Sequence, residues 1–156
     1  MKHWTEYRGH RVDILGKTKK VDNTVYTFDI ETTSYLILNG KVINARDYQS
    51  LTEDDQKNCI KQACMYIWQF SINDDVYYGR TWEDFKSFLD RLEENDNHHK
   101  VIFIHNLAFE FQALWSVVRV KDVMSRESRS LIRCESEDYN IELRCTMMLS
   151  NLKLAK

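Results

Sequence analysis

The sequence predicts an α/β domain, a mixed β-sheet flanked by helices. Three observations lead to this fold class: a strand-forming segment at 25–30, an amphipathic helix pattern after a hairpin, and a short, wholly apolar segment at 101–104. A wholly apolar strand that follows a helix is typical of the buried centre of a parallel arrangement. We therefore expect 25–30 and 101–104 to be the central, neighbouring strands of the sheet.

The first third of the chain contributes one strand. Residues 1–23 are polar and basic, which predicts a loosely held arm or a short strand ahead of a domain over 24–156. β-Branched and aromatic residues predict the strand at 25–30. The mixed, polar residues of 31–58 predict mostly loop, with a helix start at the acidic residues 52–55.

The middle third combines a hairpin with a helix. Strands are predicted at 63–72 and 76–79, joined by the turn-forming residues 73–75. Thr81 is a helix N-cap. The apolar residues that follow it fall on one helical face, namely Trp82, Phe85, Phe88, Leu89 and Leu92.

The last third begins with the apolar strand at 101–104 and a helix over 108–118. Paired strands at 131–134 and 141–145 follow, and 149–156 has the pattern of the first turns of a helix. The simplest interpretation of three of the tryptophans is burial in the core: Trp68, Trp82 and Trp115.

Composition excludes several classes of protein. The chain has 156 residues, of which 43% are hydrophobic, so intrinsic disorder is excluded. It contains no proline and four glycines, which excludes collagen-like and linker-like sequences. With 22 basic against 24 acidic residues, bulk positive charge cannot be what holds a nucleic acid.

Cysteine spacing and hydropathy predict a soluble, cytoplasmic protein. The four cysteines form no C-x-x-C pair, and we expect reduced thiols that fill the core. No apolar run reaches the roughly 18 residues that a membrane span requires. The first ten residues are polar, unlike a signal peptide.

Acidic residues follow both predicted central strands. Asp29 and Glu31 are two residues apart, so on a strand their carboxylates lie on one face. Glu110 comes about one helical turn after the second strand, within reach of the same sheet edge. Carboxylates gathered in this way bind hard cations such as Mg²⁺ or Mn²⁺, and two such ions can hydrolyse a phosphodiester. The alternatives are a solvated acidic pair and, for Glu110, an ordinary acid in the first turn of a helix.

Two segments resemble motifs of one enzyme family. Asp29-Ile30-Glu31-Thr32-Thr33 resembles the first exonuclease motif, D-x-E-T-T, of family B DNA polymerases. His105-Asn106-Leu107-Ala108-Phe109-Glu110 resembles their second motif. The resemblance is closest to the N-terminal exonuclease domain of the protein-primed polymerases of bacteriophages.

That resemblance implies a ribonuclease H-like fold and a 3′–5′ exonuclease that removes mismatched primer ends by a two-metal mechanism. Asp29, Glu31 and Glu110 would be catalytic residues and ligands of Mg²⁺ or Mn²⁺, although the family more often has Asp at the position of Glu110. Thr32, Asn106 and Phe109 would contact the 3′ end of single-stranded DNA. For Phe109, core packing is the alternative from the residue type alone.

The chain departs from the family pattern after the second motif. A third motif, Tyr-x-x-x-Asp, is expected, but Tyr139 is followed by Leu143 at the fourth position. We therefore expect an incomplete domain, truncated at its C-terminus and without the polymerase domain. Such a domain would be an impaired exonuclease in the host cytoplasm, with the rest of a DNA polymerase as a possible partner. A non-catalytic DNA- or protein-binding domain of the same fold is the alternative.

Other polar residues carry weaker hypotheses. A basic stretch could either follow phosphates or be a solvated surface; it comprises Arg119, Lys121, Arg126, Arg129 and Arg133. The pair His98-His99 is expected in a turn rather than at a metal. His105 is expected to form hydrogen bonds behind the site rather than to be a ligand.

Overall fold

The structure is a computed structural model that describes residues 1–12, 14, 22–126 and 130–150. Its strands are β1 (Lys2–His3), β2 (Tyr26–Leu38), β3 (Lys41–Ile43), β4 (Ile60–Ile72), β5 (Asp75–Gly79), β6 (Lys100–Ile104), β7 (Val120–Ser125), β8 (Leu131–Ser136) and β9 (Ile141–Cys145). Its helices are α1 (Ala45–Gln49), α2 (Glu53–Asn58), α3 (Trp82–Asn95), α4 (Leu107–Leu114) and α5 (Thr146–Ser150), with a 3₁₀ turn at Trp4–Glu6.

The described strands form one mixed sheet in the order β1-β5-β4-β2-β6-β9-β8-β7, and β3 pairs with the outer half of β2. β2 lies parallel to β6, with Tyr26 opposite Ile102, and β6 lies parallel to β9. The β4–β5 and β8–β9 pairs are antiparallel, as hairpin-connected strands are. The expected α/β class and the expected central parallel pair are therefore confirmed.

The core lies between this sheet and α3. The Phe85 ring of α3 packs on Phe28 of β2, with ring centroids 4.7 Å apart. The Phe88 ring lies 5.1 Å from that of Phe70 on β4. Thr81 caps α3 by accepting a hydrogen bond from the backbone of Asp84, as its position in the sequence predicts.

α4 packs its apolar stripe on the same side of the sheet. Leu107 and Leu114 are buried, and Leu114 lies beside Phe28, Phe85 and Ile102. The helix ends at Leu114, earlier than the expected 118, and turns follow it. The burial of α4 fixes the position of the segment that leaves β6.

Three regions differ from the expectations. β2 continues to Leu38 because it pairs with β4 as far as Ile37 opposite Ile60, so 31–38 is strand rather than loop. The Asn39-Gly40 turn, with φ of 50° and 76°, then returns the chain as β3. Helix α1 occupies part of the remaining segment that was expected to be loop, whereas α2, which Thr52 caps, confirms the helix start expected at 52–55. β7 was not predicted at all.

Of the two expectations for residues 1–23, a loosely held arm or a short strand, the described residues 1–10 fit the short strand. β1 pairs with β5, and Tyr7 is buried against Tyr77 and Phe88. The hydroxyl of Tyr7 lies 2.7 Å from His10 Nδ1. Aromatic packing anchors these residues to the sheet. The charge pattern of the segment, on which the expectation was based, gives no sign of this packing.

The C-terminal helix differs from its expectation only in where it begins. α5 begins at Thr146, ahead of the expected 149, and 151–156 lie outside the described residues. The four cysteines are unpaired, and Cys134 and Cys145 are buried. Among the described helices, none is long and apolar enough to cross a membrane.

Candidate metal and nucleic-acid site

The strand β2 presents its acidic residues on the face opposite the core. Tyr26, Phe28 and Ile30 are buried, while Asp29 and Glu31 between and after them are exposed. This is the period-two alternation of a strand with one face on the core. A bulge between Glu31 and Thr32 then shifts the register against β4. Such bulges redirect the side chains that follow them.

The segment after β6 brings a second acid to the same edge. β6 runs parallel to the first residues of β2, with Thr27 opposite Phe103, so β6 ends beside the part of β2 that carries Asp29. Asn106 precedes α4, and its backbone oxygen accepts from the N–H of Phe109 at 2.8 Å. Its carboxamide does not cap the helix. That side chain is therefore left to serve another contact.

Glu110 is an acid inside the apolar stripe of α4. It is only 4% exposed, and its Oε2 has no hydrogen-bond partner among the described residues. The pKa of Glu110 is raised to about 7, chiefly by burial and to a smaller extent by the charge of the neighbouring Asp29 carboxylate. The electrostatic influence of Asp29 on Glu110 places the two acids near each other, while their convergence with Glu31 on a metal ion stays a prediction.

Two neighbouring carboxylates, one of them buried, need a proton or a cation between them. The orphaned Oε2 of Glu110 and the carboxylate of Asp29 are hard oxygen donors of the kind that Mg²⁺ and Mn²⁺ prefer. In the described part of the chain, however, no three His, Cys, Asp or Glu residues form a group that could hold a metal ion. Glu31 is exposed on the strand face of Asp29, and its convergence with the pair stays a prediction.

The expected nucleic-acid contacts lie around this acid pair. Thr32 is half-buried directly after the bulge, opposite Met65. Phe109 is 47% exposed, so the alternative that it packs in the core is wrong. It precedes Glu110 on α4, and the burial of that acid turns the neighbouring ring outward to solvent.

Sequence reasoning missed a groove beside α4. Phe111 and Gln112 of α4 face Val123 and Ser125 of β7 across a space of about 470 Å³ that Phe109 also lines. No sequence pattern indicated the groove, because β7, which forms one of its walls, was not predicted. Its residues are mostly exposed, which leaves little apolar alternation to detect.

Trp115 is a further correction. It is 61% exposed rather than buried, and its ring lies 5.3 Å from that of Phe111 in an edge-on arrangement. It follows the last residue of α4, beyond the stripe that packs on the sheet. Trp68 is fully buried and Trp82 packs against the core, as expected.

The basic stretch is largely neutralised by acids. Arg119 donates two hydrogen bonds to Oδ1 of Asp138, from Nε at 2.8 Å and from Nη2 at 2.5 Å. Arg133 contacts Asp122, Glu135 and the buried Glu142. These pairs favour the solvated-surface interpretation over phosphate binding. Arg129 lies outside the described residues.

The histidines have protein partners. His98 pairs with Asp96, and His99 Nδ1 lies 3.2 Å from the side-chain oxygen of Asn140. His105 Nδ1 lies 3.4 Å from the hydroxyl of Thr146. His105 thus forms a hydrogen bond between β6 and α5, as expected of a residue behind the site.

Comparison of the chain with protein-family models, with curated proteins and with solved structures found no match in any of the three. Function is therefore inferred from the geometry around Asp29 and Glu110 and from the motifs at 29–33 and 105–110.

Proposed function

We propose that this chain is a ribonuclease H-like domain of the 3′–5′ exonuclease type, which binds a divalent cation and the 3′ end of single-stranded DNA. The observation that carries the proposal is the pair formed by Asp29, within β2, and the buried Glu110 on the helix that follows the parallel strand β6. The motifs at 29–33 and 105–110, which resemble those of family B DNA polymerases, support it from the sequence.

In this proposal, Asp29 and Glu110 hold Mg²⁺ or Mn²⁺, and Glu31 joins them from the same strand face. Bound divalent ions supply an acidified water and polarise the phosphate that is attacked. The protein positions the strand: the free carboxamide of Asn106 hydrogen-bonds to it, and the exposed ring of Phe109 packs on a base or sugar. Thr32, after the bulge, contacts the same terminal nucleotide.

As part of a DNA polymerase, such a domain would remove mismatched primer ends, and the rest of the polymerase would be its partner. We expect the 156-residue chain on its own to be slow. Two neighbouring carboxylates suffice for one ion, whereas phosphodiester hydrolysis of this kind uses two ions roughly 3.5–4 Å apart.

A second candidate is a binding domain of the same fold that does not cut DNA. It is favoured by the fact that the described residues bring only two acids together and form no group of three. Both candidates require a metal-dependent interaction with single-stranded DNA. They differ in whether nucleotides are released.

A single assay separates these possibilities. The chain is incubated with 5′-labelled single-stranded DNA and either Mn²⁺ or Mg²⁺, and both binding and stepwise shortening are followed. We expect binding with slow, Mn²⁺-dependent shortening from the 3′ end, and we expect Asp29→Asn to abolish the shortening. Glu53→Gln, which changes an exposed acid of α2, is the matched control.

Metal-dependent binding without shortening would establish the binding domain instead. Absence of both binding and shortening, in a folded chain, would overturn both candidates. Shortening that persists in Asp29→Asn would assign the activity to other residues or to a contaminant.

A further inference from the structure

The groove between α4 and β7 is lined by aromatic rings, neutral polar side chains and the aliphatic side chains of Ala108, Val123 and Leu131. Its described lining includes the rings of Phe109 and Phe111, the carboxamides of Asn106 and Gln112, and the hydroxyl of Ser125. None of the described lining residues carries a charge. Its volume of about 470 Å³ falls within the roughly 300–1,000 Å³ of typical small-ligand sites.

This lining matches the chemistry of an unpaired nucleobase. A base offers a flat face that stacks on aromatic rings, and an edge of donors and acceptors that carboxamides and hydroxyls can satisfy. An aliphatic ligand would leave the carboxamides unused, and a phosphate would find no cation among the lining residues. Arg126 follows Ser125 directly and is exposed, so a cation is available next to the groove for the adjoining backbone.

The groove and the acid pair involve consecutive residues of α4. Asn106 and Phe109 line it, and the next residue on α4 is Glu110, the neighbour of Asp29. A strand whose 3′ end lies at the acids would therefore pass into the groove with a nucleotide on the 5′ side of that end. Gln112, three residues after Phe109, lies one helical turn further along.

We infer that this groove is a second nucleotide site, which holds one unpaired base upstream of the 3′ terminus through Phe111, Gln112 and Ser125. This inference rests on the proposed function, because it assumes that the DNA end lies at Asp29 and Glu110. It adds a footprint that extends past the terminal nucleotide. It also assigns β7 a role in holding the strand.

The test is a scan with abasic nucleotides. Short 5′-labelled oligothymidylates, each with one abasic position counted from the 3′ end, are titrated with the full chain in Ca²⁺, and binding is measured by fluorescence anisotropy. We expect the abasic residue at one internal position to weaken binding about tenfold, the order of magnitude of a lost base stack.

The variant Val123→Asp introduces a negative charge into the groove at a residue that is already 46% exposed, so we expect the fold to survive. It should weaken the intact oligonucleotide to a similar degree and remove the effect of the internal abasic position. Val42→Asp, at a 66% exposed residue of β3, is the matched control and should behave as the parent.

The outcomes distinguish a failure of the groove site from a failure of the proposed function. If the parent binds the oligonucleotides but Val123→Asp retains the full abasic pattern, the groove is empty and the inference is wrong, while the proposed function stands. If binding is unchanged by shortening the DNA to the single 3′-terminal nucleotide, the same conclusion holds. If the folded parent binds no oligonucleotide at all, the proposed function fails and the inference fails with it.

Discussion

At the scale of single residues, the position of Glu110, a metal ligand in the proposed function, opposes the stability of the fold. It lies in the stripe of α4 that packs on the sheet, where a leucine would stabilise the fold. An ionised carboxylate in this position, beside Asp29, is unfavourable without a cation. A residue that weakens the metal-free fold and provides a ligand is typical of a functional site.

The pH dependence of stability follows from this pKa. Without metal, the folded state keeps the Glu110 proton up to about pH 7, whereas the ordinary value is 4.5. The folded state thus binds the extra proton, so the free energy of unfolding decreases as the pH rises from 4.5 to 7. We expect Glu110→Gln to be more stable than the parent above pH 7, by up to about 3 kcal/mol, and nearly equal to it at pH 4.5.

Urea denaturation at several pH values, in the presence of a chelator, measures this difference. Adding Mg²⁺ or Mn²⁺ at pH 8 should raise the stability of the parent and leave Glu110→Gln unchanged. A parent whose stability does not depend on pH relative to the variant would show that Glu110 ionises normally.

Phe109 carries a second prediction at this scale. Because the ring is 47% exposed, Phe109→Ala should leave the unfolding midpoint nearly unchanged, yet weaken binding of single-stranded DNA by about 1–3 kcal/mol. Tyr66→Ala removes a similarly exposed ring from β4 and serves as the control for nonspecific loss. Equal DNA affinity in Phe109→Ala and the parent would remove this ring from the site.

At the scale of elements, close packing joins β4, β5 and α3. Gly79 lies opposite Trp68, and a Cβ at that position would lie 2.4 Å from the indole ring. The indole nitrogen donates to the carbonyl of Thr81 at 2.9 Å, which connects the strand pair to the N-cap of α3. A glycine is thus required here by the close approach of a side chain rather than by backbone conformation.

We expect Gly79→Ala to reduce the free energy of unfolding by about 1–3 kcal/mol, since the well-packed indole cannot move away freely. In Trp68→Phe the atoms that would clash are absent. The double variant should therefore lose less than the sum of the two single variants, which urea denaturation can measure. Strict additivity would mean that the clash is relieved by a backbone movement instead.

Local pattern predicted those elements whose apolar residues repeat regularly. The helix after Thr81 and the apolar strand before His105 were both found in this way. The extension of β2 was missed because pairing on both sides, rather than composition, stabilises it. The Asn39-Gly40 pair was nevertheless a usable sign of a hairpin, since asparagine and glycine tolerate the positive φ that the turn requires.

The candidate site was predictable only in part, for a related reason. The parallel pairing of two central strands places Asp29 near Glu110, and strand order alone suggests that pairing. The helix α4 is apolar on most sides, so its sequence cannot indicate whether Phe109 or Glu110 faces the sheet. The groove depends on β7, whose exposed residues gave no pattern.

At the scale of the whole molecule, the ionisation of His10 and that of Glu110 make the free energy of unfolding depend on pH in opposite directions. His10 connects the N-terminal arm to the sheet: its Nε2 lies 2.6 Å from the Tyr26 hydroxyl, which in turn donates to Asp22. The Tyr7 hydroxyl lies 2.7 Å from His10 Nδ1, and since the Tyr26 hydroxyl donates to Asp22, a neutral ring with its proton on Nε2 fits the network. Burial lowers the pKa of His10, and the folded state therefore resists its protonation.

The change in the free energy of unfolding with pH that His10 causes is opposite in sign to the change that Glu110 causes. The unfolded chain gains the proton as the pH falls below about 6.5, whereas the folded state does so only at lower pH, so stability decreases on acidification. We expect His10→Gln to be less stable than the parent at pH 8, by about 1–3 kcal/mol for the lost hydrogen bonds, but less sensitive to acid. Thermal unfolding between pH 5 and 8 measures both effects, and an unchanged acid sensitivity would assign it to other groups.

The parallel pairing of β2 with β6 also has a consequence for the chain while it is being synthesised. β2 can pair with β3 and β4 early, but the first residues of β2 have no partner on their other edge until β6 leaves the ribosome. At roughly 5–20 residues per second, that edge stays open for several seconds and could pair with another chain. The acid pair is completed only after α4 emerges, so a nascent chain carries no assembled site until most of it has been translated.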